Sequence, residues 1–491
     1  MGLFNSCGVV YKPAKDVDLS PTSSEFYLKA NVKAPRMIGV VVKIFAWVLE
    51  MRILGKLLLY VLKANNLIYK LIGDAEIEES PVFCPSHPVE EKESEEVKHI
   101  DFDLSETEQV QEAVSCLPTW SEREVNCLNP SFHRWTIMDY ARAYHSKKTT
   151  PLTVAERFVA AVSESSKPPF NMSFFINYDV EDIMKQAAES TKRYELGRPL
   201  SVLDGVPIAV KDEIDCLPYP TTGTSWLHKL RPCTGDASCV KYLRLCGALI
   251  VGKTNMHELG IGTSGINPHH GSTRNPYNSS RICGGSSSGS AAVVAAGLCP
   301  AALGVDGGGS VRIPASLCGV VGLKPTFGRV PHSGVLPLNW TVGMVGILAG
   351  TIEDAFIVYA AISSKLPSHQ NTALPKLCFP LLNSSRPISS ITLAKYGEWF
   401  NDCSDDIRVC CSNALDKLQK HHGWKSVEVT IPEIEVMRLA HYSTIASECS
   451  TSLSSYLEKL DSSQLGWDAR VALAVYGSFS SKEYIKAQKI R

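Results

Sequence analysis

An α/β fold, with helices over the faces of a β-sheet, is the class that this sequence predicts, and three observations predict it. Two short apolar runs bounded by Gly or Pro, GVPIAVK at 205–211 and GALIVGK at 247–253, read as buried strands. Segments of helical period, such as DASCVKYLRL at 236–245, lie between them. Alternation of this kind puts helices on a sheet. The bulk is globular: of 491 residues, 44% are hydrophobic and 20% charged. At ~150 residues per unit, that length predicts about three units.

The first unit is expected over 1–75. The start, MGLFNSCGVVYKPAKDVD, has no apolar core of signal-peptide type, but Gly2 and Ser6 match the N-myristoylation pattern, with Cys7 beside them for palmitoylation. From Arg36 the chain is strongly apolar, yet Lys43, Glu50, Arg52, Lys56, Lys63 and Lys70 interrupt it. No window offers the ~20 nearly uncharged residues that a spanning helix needs. Two amphipathic helices, roughly 37–52 and 53–72, fit instead, with lysines able to snorkel and Trp47 suited to a membrane interface. The competing expectation is a helical cap on the protein's own core.

Residues 76–130, including VEEKESEEVK at 89–98, read as an acidic, solvated connector, and 131–491 as the main domain. Within it, TTPLTVAERFVAAV at 149–162 has Pro151 near an expected helix start and a Thr153–Glu156 capping box. Lys and Arg number 49 against 50 Asp and Glu, so no basic excess supports a nucleic-acid partner. The 16 cysteines show no CxxC or zinc spacing, which argues against a metal site and for a reduced, cytosol-facing compartment with its N-x-[ST] sequons unused.

Residues 247–254, GALIVGKT, match the P-loop pattern formally. A phosphate loop needs free backbone amides, whereas Ala248–Val251 are themselves strand residues. Nucleotide binding there is a remote alternative.

Residues 288–298, SGSAAVVAAGL, read as a helix of small residues, and 301–305 as a strand running into Asp306-Gly307-Gly308-Gly309-Ser310. Unshielded amides in such a turn can converge on a developing oxyanion, with Ser310 as nucleophile. A plain strand-to-helix connection explains the residues equally well. No GxSxG elbow is visible, and none of the 13 histidines is marked as a triad member. Lys211, closing a buried run, is an alternative base, since desolvation favours the neutral amine. An exposed strand-end lysine is the plain reading.

Taken together, these segments resemble the amidase signature of Ser–Ser–Lys hydrolases. A Gly-Gly-Ser-Ser segment contains Ser286, and Ser310 follows 24 positions later in GGSVR. GVPIAVKD at 205–212 matches the family's upstream lysine motif, and CGVVGLKPTFGRV at 318–330 fits downstream. KDEIDCLP, GKTNMHELG and DGGGSVRIP extend the likeness to plant members that act on fatty acid amides. The resemblance implies a mixed, twisted sheet covered by helices on both faces. It implies that Ser310 attacks the amide carbonyl, that Ser286 relays the proton through a cis-peptide-linked position, and that a neutral Lys211 is the base. The amides of Gly307, Gly308, Gly309 and Ser310 would form the oxyanion hole, with no metal or organic cofactor. It further implies a lipid amide substrate such as an N-acylethanolamine, a membrane surface on the cytosolic side of the endoplasmic reticulum or plasma membrane, and a homodimer. The family's fold runs on past the point matching Ser481–Arg491, so the domain over 131–491 is expected to be C-terminally incomplete. The competing class is a non-catalytic relative that binds lipid amides or a full-length partner.

Overall fold

Pro207–Lys211 and Leu249–Thr254 lie side by side in the computed structural model, parallel and fully buried. The structure describes all residues except 1–7, 12–18, 21–35, 85–96, 102, 119–133, 224–226, 364–376, 383–390, 432 and 460–461. Gly2, Ser6 and Cys7, and most of the acidic run at 89–98, lie outside the described residues. The central sheet has six strands: β1 (Phe175–Asn177), β2 (Pro207–Lys211), β3 (Leu249–Thr254), β4 (Ala301–Asp306), β5 (Val321–Leu323) and β6 (Met344–Ala349). Their order is β5-β6-β4-β2-β3-β1. β2 is parallel to both β3 and β4, while β1, β5 and β6 join antiparallel, so the sheet is mixed.

Helices α1 (Val40–Glu50) and α2 (Leu54–Asn65) come first, then α3 (Glu106–Ser115). α4 (Pro151–Ser165), α5 (Val180–Glu195), α6 (Ser238–Leu245), α7 (Ser288–Ala295), α8 (Arg312–Cys318) and α9 (Ile352–Ile362) are interleaved with the strands. α10 (Ile434–Leu457), α11 (Trp467–Tyr476) and α12 (Ser481–Ile490) follow. Alternation along each strand divides the core. Ile208, Val210, Ile250 and Leu303 pack with residues of α3, α6 and α9. Ala209, Leu249, Val251 and Ala302 pack with those of α4, α5, α7 and α8. Both faces are therefore covered.

Two local expectations are corrected. The helix at Pro151–Ser165 is capped by Thr150, whose side chain accepts from the Thr153 amide, with Pro151 in its first turn. The connector is not solvated throughout 76–130. Val110, Ala113, Cys116 and Leu117 are buried in the main core beside α9, because α3 is acidic only on its outward face.

α1 and α2 sit on the C-terminal helices. Ala46 and Leu49 are buried, and Trp47 meets Trp467 edge-on at 5.9 Å. Glu50 is paired with Arg470, and Lys63 with Glu483 at 2.6 Å, with both Lys63 and Glu483 buried. Lys63 thus points into the protein rather than snorkelling outward, because Glu483 and the Ser478 carbonyl satisfy its ammonium inside. Ile38, Val40, Ile44, Ile53, Leu54 and Leu57 remain exposed. Among the described residues no helix is long and apolar enough to cross a membrane.

α7 positions everything that follows. All eight of its residues are buried, and Ser290 Oγ donates to the Leu303 carbonyl of β4 at 2.8 Å. At Gly289 an added Cβ would fall 2.4 Å from the Phe174 carbonyl oxygen and 2.6 Å from the Asn255 nitrogen, both backbone atoms. We expect Gly289→Ala to lower unfolding stability by about 1–3 kcal/mol, overpacking outweighing the helix propensity of Ala. A urea midpoint equal to or above wild type would refute this packing.

Candidate active site

Lys211 is the last residue of β2 and Asp306 the last of β4. Because these strands are parallel neighbours, both side chains lie at the carboxyl edge of the sheet, where open α/β sheets place their sites. Ser286 lies in the turn entering α7, and Ser310 in the turn from β4 into α8. The two turns are joined by the Ser287 amide, which donates to the Ser310 carbonyl at 3.0 Å. The Gly285–Ser286 peptide bond is cis, and the Ser286 carbonyl accepts from the His257 amide at 3.0 Å.

Lys211 Nζ lies 2.7 Å from Ser286 Oγ, 3.4 Å from the Val305 carbonyl oxygen and 2.7 Å from Glu213 Oε1. All three side chains are buried. Burial pushes the Lys211 amine below its ordinary value, against the upward pull of the Glu213 carboxyl. Burial likewise pushes Glu213 up, against the downward pull of Lys211. Desolvation therefore drives both partners toward their neutral forms. Ser286 and Ser310 line one cavity of about 330 Å³ with Glu213, Gly307, Gly308 and Tyr442. The structure thus brings Lys211 into contact with Ser286 and sets both serines in the lining of one cavity.

The glycine turn is organised by a residue that the sequence reading passed over. Asp306 accepts from the Gly309 amide at 2.7 Å, from the Val311 amide at 3.1 Å, and from the Arg312 guanidinium at 2.9 Å. Burial would push this carboxyl up, but Arg312 and the two amides outweigh it and hold it below the usual carboxylate range. Gly309 is accordingly corrected: its N–H is directed at Asp306 and is not available to an oxyanion. The amides of Gly307, Gly308 and Ser310 meet no acceptor among the described residues. His441 closes the turn from the other side. Burial pushes its pKa down, so it stays neutral and donates Nε2–H to the Gly307 carbonyl at 2.7 Å. Gly309 has a φ of +114°, which favours glycine there, while a side chain at Gly307 would meet Asn339 Oδ1 at 2.6 Å and oblige that side chain to move.

The P-loop match fails on geometry. Leu249–Thr254 is a buried strand, and Lys253 Nζ donates to the carbonyls of Asp212 and Pro220 and to Thr221 Oγ1. No loop is left to wrap a phosphate.

A polar turn facing a buried lysine and two serines is a hydrolase geometry, and its lineage follows from comparison. The family model described as Amidase matches residues 161–487. The chain belongs to the amidase family. It is similar to the fatty acid amide hydrolase of Arabidopsis thaliana, at 46% identity over 98% of this chain and 80% of that one. The fatty acid amide hydrolase of Medicago truncatula is 44% identical over the same shares. Among solved structures, the peptide amidase of Stenotrophomonas maltophilia superposes with a TM-score of 0.64 at 26% identity, covering 73% of this chain and 78% of that one. An amidase-family member with such relatives is an amide hydrolase.

Glu213, Asp306 and His441 were not singled out from sequence. Only Asp306 left a signal there, as the one charged residue abutting the glycine run.

A depressed carboxylate contributes stability that is present above the unfolded value near ~4 and is lost as pH falls through its lower folded value. At neutral pH, Asp306→Asn is therefore expected to lower unfolding stability by about 1–3 kcal/mol. It should also slow modification of Ser310 by a serine-reactive phosphonate. Wild-type stability and labelling in this variant would show that the turn does not depend on the carboxylate.

Proposed function

We propose that this protein hydrolyses fatty acid amides, N-acylethanolamines among them, to a free fatty acid and an amine, through an acyl-enzyme on Ser310. Lys211, neutral, takes the Ser310 proton by way of the Ser286 hydroxyl. Ser310 Oγ attacks the carbonyl carbon, and the amides of Gly307, Gly308 and Ser310 receive the oxyanion. The proton then returns through Ser286 to the leaving nitrogen, and water releases the acid. The observation that carries the reading is the 2.7 Å contact between the fully buried Lys211 amine and Ser286, on the wall of the cavity that Ser310 shares. A buried, unprotonated amine is a base near neutral pH, which a solvated lysine is not.

The acyl part is supported by a second cavity. Tyr442 lines both the site cavity and a neighbouring space of about 280 Å³ whose walls include Phe45, Leu59, Leu62, Val475 and Phe479. That space lies between α1, α2 and the C-terminal helices, so an alkyl chain passing Tyr442 would enter apolar surroundings. The exposed apolar side chains of α1 and α2 support contact with a membrane surface on the cytosolic side, from which such a substrate would be drawn. The homodimer, and an N-myristoyl group on Gly2, belong to the proposal on the family resemblance and the sequence pattern alone.

Ser310→Ala is expected to reduce hydrolysis of N-acylethanolamines by the purified chain at least ~10³-fold, with the fold intact by circular dichroism. Lys211→Ala should also abolish phosphonate labelling of Ser310. Well-folded wild-type protein that binds lipid amides without hydrolysis or labelling would favour the non-catalytic reading. Removing residues 1–72 should reduce turnover of long-chain amides more than that of short-chain ones. Equal losses across chain lengths would contradict entry along α1 and α2.

A further inference from the structure

Glu213 is not an obvious part of the proposed relay, yet it is the closest charged neighbour of its base. It stands two residues beyond Lys211, with Oε1 2.7 Å from Nζ, and it lines the cavity. Its other oxygen, Oε2, is buried without a hydrogen-bond partner. Gly260 lets the carboxyl sit there, since a Cβ at that position would fall 2.7 Å from Oε2. A buried carboxylate normally gathers donors on both oxygens, as Asp306 does here. Glu213 has one close partner, and that partner is the base.

We propose that Glu213 is a positioning residue that shares one proton with Lys211, so that the base of this reaction is the pair and not the lysine alone. The inference rests on the Ser310–Ser286–Lys211 reading. With the shared proton present, the pair is neutral overall and Lys211 cannot accept another. Loss of that proton to solvent leaves an amine beside a carboxylate, and this is the active base. The Ser310 proton then passes to Ser286 as the Ser286 proton passes to Lys211, while Ser310 Oγ bonds to the carbonyl carbon and the carbonyl electron pair moves to oxygen. The new ammonium faces the Glu213 carboxylate, and the pair is neutral again. When the C–N bond breaks, its electrons stay on nitrogen, which takes the proton back through Ser286. Water repeats the sequence on the acyl-enzyme, so the pair is unchanged over a full turnover.

The other charged and titratable groups around the pair are engaged elsewhere or stay uncharged. Asp212, just past β2, and Lys253, on β3, pair with each other at 3.6 Å, and Asp306 pairs with Arg312. His332, on the cavity wall, is pushed down to about 4 by burial and stays neutral. Cys449, from α10, is pushed up to about 12 by burial and stays a thiol.

The test is the pH dependence of Ser310 modification by a fluorophosphonate, followed by intact mass, which needs the base but no particular amide. Glu213→Gln keeps the shape and removes the negative charge that favours the ammonium. The acid limb of the rate profile should then move down by about 1–3 pH units relative to wild type. Glu213→Asp, which keeps the charge and withdraws it by one methylene, should move the limb the same way by less, and it serves alone if Glu213→Gln does not fold. An acid limb that coincides with wild type in the folded variant overturns the shared proton, whatever happens to the absolute rate. Wild-type protein whose Ser310 never labels overturns the reading of the site itself.

Discussion

The site depends on keeping one ammonium-forming group out of water. Lys211 ends a strand buried along its whole length, between two other strands. Its amine therefore emerges inside the protein and not at the surface. Desolvating a lysine is unfavourable by several kcal/mol if the charge is kept, and the system relieves this by giving up the proton. The sheet, the two helical layers and the loops over the carboxyl edge all serve that exclusion. The protein also holds a second lysine at equal depth, Lys253 on the adjacent strand, which has a different fate. Three oxygen acceptors and the Asp212 carboxylate surround it, so its hydrogens are fully occupied in holding the loop after β2. Depth alone does not make a base. The partners differ: the Ser286 hydroxyl facing Lys211 opens onto the cavity, whereas Lys253 faces two carbonyls and a Thr221 hydroxyl that donates its own proton to Asp215.

The glycine turn solves a complementary problem. An oxyanion needs amides that point into the cavity, but a turn of unshielded amides has no side chains of its own to hold it still. Asp306 supplies the order from inside, binding the Gly309 and Val311 amides and the Arg312 guanidinium, while His441 grips the Gly307 carbonyl from α10. The amides that remain without acceptors are those facing the cavity. α7 contributes by being thin. Its Ala, Ser and Gly surface lets the Asn255 backbone approach so closely that a methyl group at Gly289 has no room. Flexible residues in the sequence thus become a rigid part of the fold, since they permit contacts that larger residues would prevent.

How far this was legible from residues differs from one element to the next. β2, β3, β4 and α7 were readable because a strand or helix buried all round must be apolar or small throughout, and breakers bound it. α3 was missed because a helix that buries only one stripe under an acidic exterior has the composition of a solvated connector. Lys211, Ser286 and Ser310 were found through spacing that the family shares; the residues alone left a plain turn equally open and favoured an exposed lysine. Glu213 could not be found by pattern. An acidic residue two positions past a strand reads as surface, and only the return of the chain through Ser286, Ser310 and Gly260 buries it.

The N-terminal helices show how one segment can answer to two demands. Part of each helix is tied to the protein. Lys63 and Glu50 are paired with C-terminal partners, and Lys43 lies 5.4 Å from the centre of the Trp467 ring. Placing charges within so apolar a stretch fixes these helices in one orientation, because a charge that finds a partner inside specifies which side faces inward. Ile38, Val40, Ile53 and Leu57 are then left exposed with no apolar alternative. Capping the protein's own core and presenting an exposed apolar face are therefore compatible in this segment. The inward pairs leave the outward apolar face, while Phe45, Leu59 and Leu62 of the same helices line the cavity that shares Tyr442 with the site.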